Sequence, residues 1–417
     1  MKENELSKPK VLYDERLRRI NDAIALREPD MVPIAPLFSC AVQRMYGSDY
    51  KNLFYDFPTA GEAFLKFYRD YPLCDAHTCS GFTSGLSNEL AGSTMIDWPG
   101  RPGTKVPNIS SHQVIEHEYM LPDEYPELLN DYTGFMIRKY IPRAYSNLQS
   151  FAGMVFTPTV VLSTGLLSPL YSPEMLKIYE TLAKIGEMDA QAITALLSYS
   201  AKLEEMGFPP LMSGVSQAPY DILGDYFRGT IGIMEDLIEC EDMILAACEM
   251  FAEQQISALQ YLKNIPMKVK RVFFPFHKAM DGFMSPAQYE KLYWKPLRKI
   301  IDALIDIDVT PYLYTEGRYD TRLEQLADVP KGKVLYHFES VDMKEAKRIL
   351  GGTACIAGNL PIAMLEFGKK EAVIDYCKYL IDTCAPGGGY IFDFNGSLEN
   401  VNRENLDAMF DTLDKHR

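Results

Sequence analysis

The chain has 417 residues, 47% of them hydrophobic and 24% charged, with a formal net charge of -15. That acidic balance repels phosphate and argues against nucleic acid or an anionic membrane surface as a partner. No stretch reaches the roughly 18 uncharged apolar residues of a bilayer span.

The opening Met1-Lys2-Glu3-Asn4-Glu5 is charged and leads into no apolar signal core, so the expected location is cytoplasmic. Eight cysteines, at 40, 74, 79, 240, 248, 355, 377 and 384, form no C-x-x-C pair and read as reduced thiols, mostly core filler. Along the chain, Leu17, Ile20, Ala23, Ile24 and Leu26 fall at helical spacing within residues 14–26. Pro29 and Pro33 then force an extended exit through residues 32–36, a candidate short strand. Leu73-Cys74-Asp75-Ala76-His77 is a second apolar run. Residues 98–125 are rich in Pro, Gly, Ser and His and read as an excursion over the mouth of the fold. Ser172-Pro173-Glu174 supplies a cap, a first-turn proline and an acidic residue for a long helix toward Met206, with Gly207 as its stop.

Beyond Gly207, continuous apolar runs alternate with helical stretches. The runs are 209–215, 271–277, 310–316, 333–337, 354–358 and 389–394. Continuous rather than alternating apolar strands indicate a parallel sheet covered on both faces. These six and the run at 73–77 leave an eighth strand to be found between residues 85 and 165. The count predicts an α/β fold, a (β/α)8 barrel with an N-terminal helical extension and a long excursion over its mouth. The whole chain, 1–417, is expected to be one domain, with the extension over about 1–70 and the barrel over about 71–417. No G-x-G-x-x-G follows a strand, which argues against a dinucleotide fold.

The strand ends carry the candidate chemistry. Glu316 and His337 close consecutive predicted strands, so both are expected at one mouth. A carboxylate and a neutral imidazole there suit Zn²⁺, which takes three protein groups and leaves one position open. The alternative is a metal-free Glu–His pair acting as acid and base, or simply as structure. His277 ends the preceding strand and is the candidate third ligand or a proton-transfer group. Asp75, His77 and Cys79 alternate on one extended face, although only one of them need reach the mouth. His112 and His117 belong to the excursion and read as solvated, and Cys355 as core. Asp393 and Asn395 end the last strand, and Asn395-Gly396-Ser397 offers N–H groups and a hydroxyl to a ligand oxygen. Tyr220, Tyr312, Tyr314, Tyr319 and Phe276 lie near the mouth, where a surplus of rings suits a flat aromatic substrate.

Four segments carry a resemblance. Gly214 followed by Val215-Ser216-Gln217-Ala218-Pro219-Tyr220-Asp221-Ile222-Leu223 resembles the G-x-x-x-A-P-(F/Y)-T-L stretch of uroporphyrinogen decarboxylases. Asp281-Gly282-Phe283-Met284-Ser285-Pro286 is similar to their A-G-x-L-S-P, and Ala357-Gly358-Asn359-Leu360-Pro361 to their Q-G-N-L-D-P. Arg19 to Pro33 resembles the opening of many members of that superfamily. The arginine-rich R-Q-A-G-R-Y segment that binds porphyrinogen carboxylates has no counterpart, since Ile34-Ala35-Pro36-Leu37-Phe38-Ser39-Cys40 follows Pro33. This argues against porphyrinogen decarboxylation.

The superfamily's zinc-dependent corrinoid methyltransferases offer two patterns. The H-x-C type is absent, because the chain reads His337-Phe338-Glu339 and, near its end, Asn395-Gly396. The aryl-ether O-demethylase type has a Glu and a His at the spacing of Glu316 and His337. Its upstream Glu, fifteen residues earlier, falls on Ile301, leaving His277 as the substitute ligand. The resemblance implies an enzyme that demethylates a small methoxylated, aromatic substrate and passes the methyl group to the Co(I) of a cobalamin-carrying corrinoid protein. Zinc on Glu316, His337 and His277 would act as Lewis acid. Asp75, His77, Gln217, Tyr220, Tyr314, Asn359, Asp393 and Asn395 are the expected substrate contacts. A homodimer is among the expectations. The rivals are a metal-independent decarboxylase, for which Arg318 and Lys278 are the nearby carboxylate clamps, and a non-catalytic binding barrel.

Overall fold

The computed structural model describes residues 2–38, 40–157 and 164–417. A short antiparallel pair, β1 (Ile96–Asp97) and β2 (Gln113–Val114), stands apart from the main sheet. The main sheet is β3 (Gly214–Val215), β4 (Arg271–Phe276), β5 (Thr310–Arg318), β6 (Leu335–Ser340), β7 (Cys355–Ala357) and β8 (Tyr390–Ile391). Its strands are parallel, and each pairs with its neighbour in sequence.

Two further extended segments close this sheet into a ring. Ala35 N–H donates to Phe392 O at 3.1 Å and Phe392 N–H to Pro33 O at 2.8 Å, joining residues 33–38 to the far side of β8. Asp75 N–H then reaches Ile34 O at 2.6 Å, and His77 N–H reaches Pro209 O at 2.9 Å. Ser213 N–H completes the circuit on Arg271 O at 2.9 Å. The fold is therefore the expected (β/α)8 barrel, with eight extended segments in chain order. The eighth strand is not between 85 and 165, where the described residues contribute only the outlying β1–β2 pair to strand structure; residues 158–163 of that interval lie outside the described residues. It is the proline-flanked segment at 33–38, inside the stretch assigned from sequence to the extension. Prolines at 33 and 36 leave it few ladder bonds, and the candidate short strand at 32–36 is this segment, although the count of eight did not include it.

Side chains fill the interior as a packed core rather than a pore. Ala35, Leu37, Ala76, Leu211, Tyr312, Leu335, Cys355, Ala357 and Ile391 form one buried cluster. The helix Lys2–Ile24 closes the N-terminal end of the barrel by adding Ile20, Ala23 and Ile24 to it. Arg19 pairs with both Asp30 and Asp75 there, and Arg417 reaches Asp75 at 3.0 Å, so the chain's end is tied to the same floor.

The long helix, Pro173–Glu205, starts and stops as its sequence dictates. The Ser172 hydroxyl accepts from Met175 N–H, and Gly207 takes φ +93 beyond its end. The excursion does lie over the mouth. Met120 N–H donates to Phe227 O at 2.9 Å, Thr230 N–H to Glu116 at 3.0 Å, and Glu118 pairs with Arg228 at 2.8 Å. These ties fix it to the segment that follows β3. No described helix is long and apolar enough to cross a membrane.

Candidate active site

The mouth chemistry is organised by the segment after β3. Asp221 and Asp225 are four residues apart on consecutive helical turns, Pro219–Ile222 and Leu223–Arg228, so they share a face. Asp221 is fully buried and works as a peg. It accepts from His277 N–H at 3.1 Å, Lys278 N–H at 2.9 Å and the Tyr293 hydroxyl at 2.7 Å. Those bonds hold the chain just past β4 and aim the His277 and Lys278 side chains. Burial, reinforced by the Asp225 charge, pushes the Asp221 carboxyl up to about 7.

Asp225 takes the other role. Its Oδ2 lies 2.6 Å from His277 Nδ1 and 2.9 Å from Gln217 Nε2, and its Oδ1 lies 3.0 Å from Lys278 Nζ. With a carboxylate on Nδ1, that nitrogen carries a proton. His277 Nε2 faces Glu316 Oε1 at 3.7 Å. The imidazole is thus strung between two carboxylates, with 32% of its side chain exposed and 42% of that of Glu316. Burial opposes the imidazolium, but the bond to Asp225 and the charges of Asp225, Asp221 and Glu316 outweigh it and carry His277 up to about 9. Glu316 is itself raised, by burial and by neighbouring Glu339, against the pull of His277. Lys278 is spent on carboxylates, because Glu116 of the excursion meets it at 3.2 Å in addition to Asp225.

Asp225 and Tyr226 also form part of the wall of a cavity of about 300 Å3. Met95, His112, Tyr119 and Tyr145 from the excursion and its flanks contribute to the rest. The acid–base line and an aromatic-sided pocket are therefore contiguous.

His337 does not join this line. The sequence reading ended its strand at His337, but β6 runs on to Ser340. In register His337 pairs with Tyr314, two residues below Glu316. At the level of Glu316 the β6 side chain is Glu339, which accepts from Gly317 N–H. His337 is 0% exposed in the barrel interior. Its Nε2–H donates to Phe394 O at 2.6 Å, and its Nδ1 lies 3.0 Å from the Tyr312 hydroxyl and 3.5 Å from Asp393 Oδ2. Burial pushes it down to about 4, so it is neutral. With one nitrogen donating and the other accepting, it has no lone pair free for a metal. Among the described residues no group of three His, Cys, Asp or Glu is placed to hold a metal ion. His277 and Glu316 alone do not make a three-ligand set, and the expected placement of His337 beside them is corrected.

The other candidates divide sharply. Gln217 sits in the site, and Tyr314 lies just beneath it, its ring 4.7 Å from that of His337 and its hydroxyl donating to Asn395 O at 3.3 Å. Asp75 is buried at the floor on Arg19 and Arg417. His77 is 3% exposed, with Nδ1 accepting from Cys79 N–H at 3.3 Å and Nε2 3.2 Å from Ser200 Oγ; burial takes it down to about 3. Neither reaches the mouth. Tyr220 is wholly buried, packed 5.9 Å from Tyr293. Asn359 ties Val341 O to the Tyr376 hydroxyl, and Asn395 accepts from Ile362 N–H, both holding loops. Asp393 is 1% exposed, accepts from Leu37 and Phe394 N–H, and is raised by burial. Asp221, Asp225, Glu116 and Glu339 were missed. The i, i+4 spacing of Asp221 and Asp225 directly after the Ala218-Pro219-Tyr220 turn was the available signal.

The ring of parallel strands, with a polar cluster past the C-terminal end of β4 and the Gln217-to-Leu223 turn against it, agrees with one family profile, Uroporphyrinogen decarboxylase (URO-D), which matches residues 170–416. The chain belongs to the uroporphyrinogen decarboxylase family. Among solved structures this family barrel is similar to a methyltransferase from Methanosarcina mazei, at 15% identity and a TM-score of 0.58, over 95% of this chain and 97% of that one. At that identity the likeness is one of fold. No curated protein matches the sequence.

Proposed function

We propose that this family member is a methyltransferase that removes the methyl group of a small methoxylated aromatic compound at the barrel mouth and delivers it to the Co(I) of a corrinoid protein. The observation that carries the reading is the Asp225–His277–Glu316 line beside the tyrosine-sided cavity. An aryl ether is a poor methyl donor because phenolate is a poor leaving group. A protonated imidazole aimed into the mouth removes that obstacle by general acid catalysis.

The step balances simply. The methyl–oxygen bond breaks with its electron pair going to oxygen, the Nε2 proton of His277 passes to that oxygen, and the methyl group goes to Co(I). Asp225 keeps Nδ1 protonated throughout and stabilises the imidazolium between turnovers. Glu316 orients Nε2 until substrate arrives. Tyr119, Tyr145 and Tyr226 offer ring faces to a flat substrate. Among the described residues the donors do not form a three-ligand set, and this scheme uses no metal.

The decarboxylase reading is weaker on the same geometry. A substrate carboxylate needs a cation at the mouth, yet Lys278 is held by Asp225 and Glu116, and Arg318 turns to Asp320 at 3.1 Å with 73% of its side chain exposed. The test is anaerobic incubation of the protein with a panel of methoxybenzenes and free cob(I)alamin as acceptor. The expected result is formation of phenol and methylcobalamin in equal amounts. Release of CO2 from the matching benzoates with no methyl transfer would overturn the proposal.

A further inference from the structure

At the other end of the barrel, a cavity of about 310 Å3 opens among the segments that enter β4, β5 and β6. Its wall includes Lys268, Lys270, Arg271 and Lys333 with Asn21, and Asp308 is the one carboxylate among its lining residues. In a chain whose net charge is -15, this concavity reverses the local field. Clefts of one sign with low-dielectric walls concentrate the opposite ion.

Arg271 is the second, independent observation. Its side chain is buried, at 2% exposure. Nε donates to Leu211 O at 2.6 Å, one terminal nitrogen to Asn21 Oδ1 at 3.0 Å and the other to Pro210 O at 3.1 Å. All three acceptors are neutral, and they use three of the five N–H donors of a guanidinium. Among the described residues no Asp or Glu forms an ion pair with it. A buried charge without a counter-charge is strongly unfavourable. Burial accordingly pushes this guanidinium down to about 10, with only Tyr13 and Tyr312 working the other way. Lys270 and Lys333 also have no ion pair among the described residues, while Lys268 rests over the Tyr13 ring at 4.8 Å.

We infer that this cavity binds a small phosphate-bearing anion, which supplies the missing counter-charge to Arg271 and is held on its outer side by Lys270 and Lys333. A phosphate is favoured over a carboxylate because it brings more than one negative charge and several acceptor oxygens to a site offering a guanidinium and ammonium groups. The cavity lies at the N-terminal ends of the strands, away from the His277 line. In this architecture that face governs stability rather than chemistry, so occupancy raises the melting temperature without touching the catalytic residues.

Isothermal titration calorimetry of the intact protein in chloride buffer, at constant ionic strength, tests this with inorganic phosphate and with glycerol 3-phosphate. One saturable site is expected, with affinity falling about tenfold for each cation removed in Lys270→Gln and Lys333→Gln. Tighter binding of the phosphomonoester identifies a phosphorylated metabolite as the ligand, and equal binding identifies free phosphate. Lys333 is exposed, so the Lys333→Gln variant keeps the test readable should Lys270→Gln fold poorly. No saturation by either probe, or unchanged affinity in Lys333→Gln and Lys270→Gln, would overturn the inference.

Discussion

His277 follows β4 and keeps a third of its side chain open to the mouth, whereas His337 lies in the middle of β6 and is wholly enclosed. Both are barrel histidines on nearby strands, and both looked like ligands. Their surroundings send them in opposite directions. His277 faces carboxylates on both nitrogens and is carried up to about 9, while burial takes His337 down to about 4 against the pull of the Phe394 carbonyl. One is a charged group that can give up a proton; the other is a neutral bracket that ties β5, β6 and the end of the last strand together. A side chain's depth along its strand, set by register, decides which role it takes.

The strongest way to break this contrast is to remove each ring. His277→Ala is expected to lower the demethylation rate by about 10² to 10⁴-fold, with a urea midpoint near that of the parent only above about pH 9, where the imidazolium no longer contributes to stability. His337→Ala reverses the pattern. It is expected to cost about 2–4 kcal/mol of stability from the cavity and the abandoned Phe394 and Tyr312 partners, read from urea unfolding. Should His337→Ala instead leave stability intact and strip a bound metal, the bracket role would be wrong.

Acidification sharpens the comparison more gently. The folded-state value of His337 is depressed, so its contribution to stability is full above about 6.5 and is lost as pH falls toward about 4. His77, lowered to about 3, extends the same trend. His277 runs the other way: its contribution is full below about 6.5 and is lost as pH rises through about 9. Chemical denaturation across pH 4 to 10 should therefore show both an acid and an alkaline decline, and His337→Ala should soften only the acid one. The smallest effect is expected at Arg318, which is exposed on Asp320. Arg318→Ala should change KM by less than about twofold, within the ±0.5 kcal/mol of an ordinary surface change.

Much of the architecture was legible because local rules and the global fold agree here. The Ser172 cap, the Gly207 stop and the apolar runs opening β4, β5 and β6 all read directly. The segment at 32–36 could be read as a short strand but not as the one that closes the ring, because its prolines leave few ladder donors. At the site, His277 and Glu316 could be read as strand-end residues, since turn residues follow each closely. His337 could not be placed, because Phe338-Glu339-Ser340 continues the strand and one pair of residues separates mouth from core. Asp225 lies on a helical turn rather than a strand end, and only its spacing from Asp221 linked it to His277.

The central claim is that Asp225 holds His277 protonated at the mouth, and the pH–rate profile of demethylation tests it most directly. For the parent protein the alkaline limb should fall near pH 9, where the imidazolium loses its proton. In Asp225→Asn that limb should move down toward the ordinary histidine value of about 6.5, with the maximal rate at low pH largely kept. An alkaline limb at the same pH in both proteins would contradict the account.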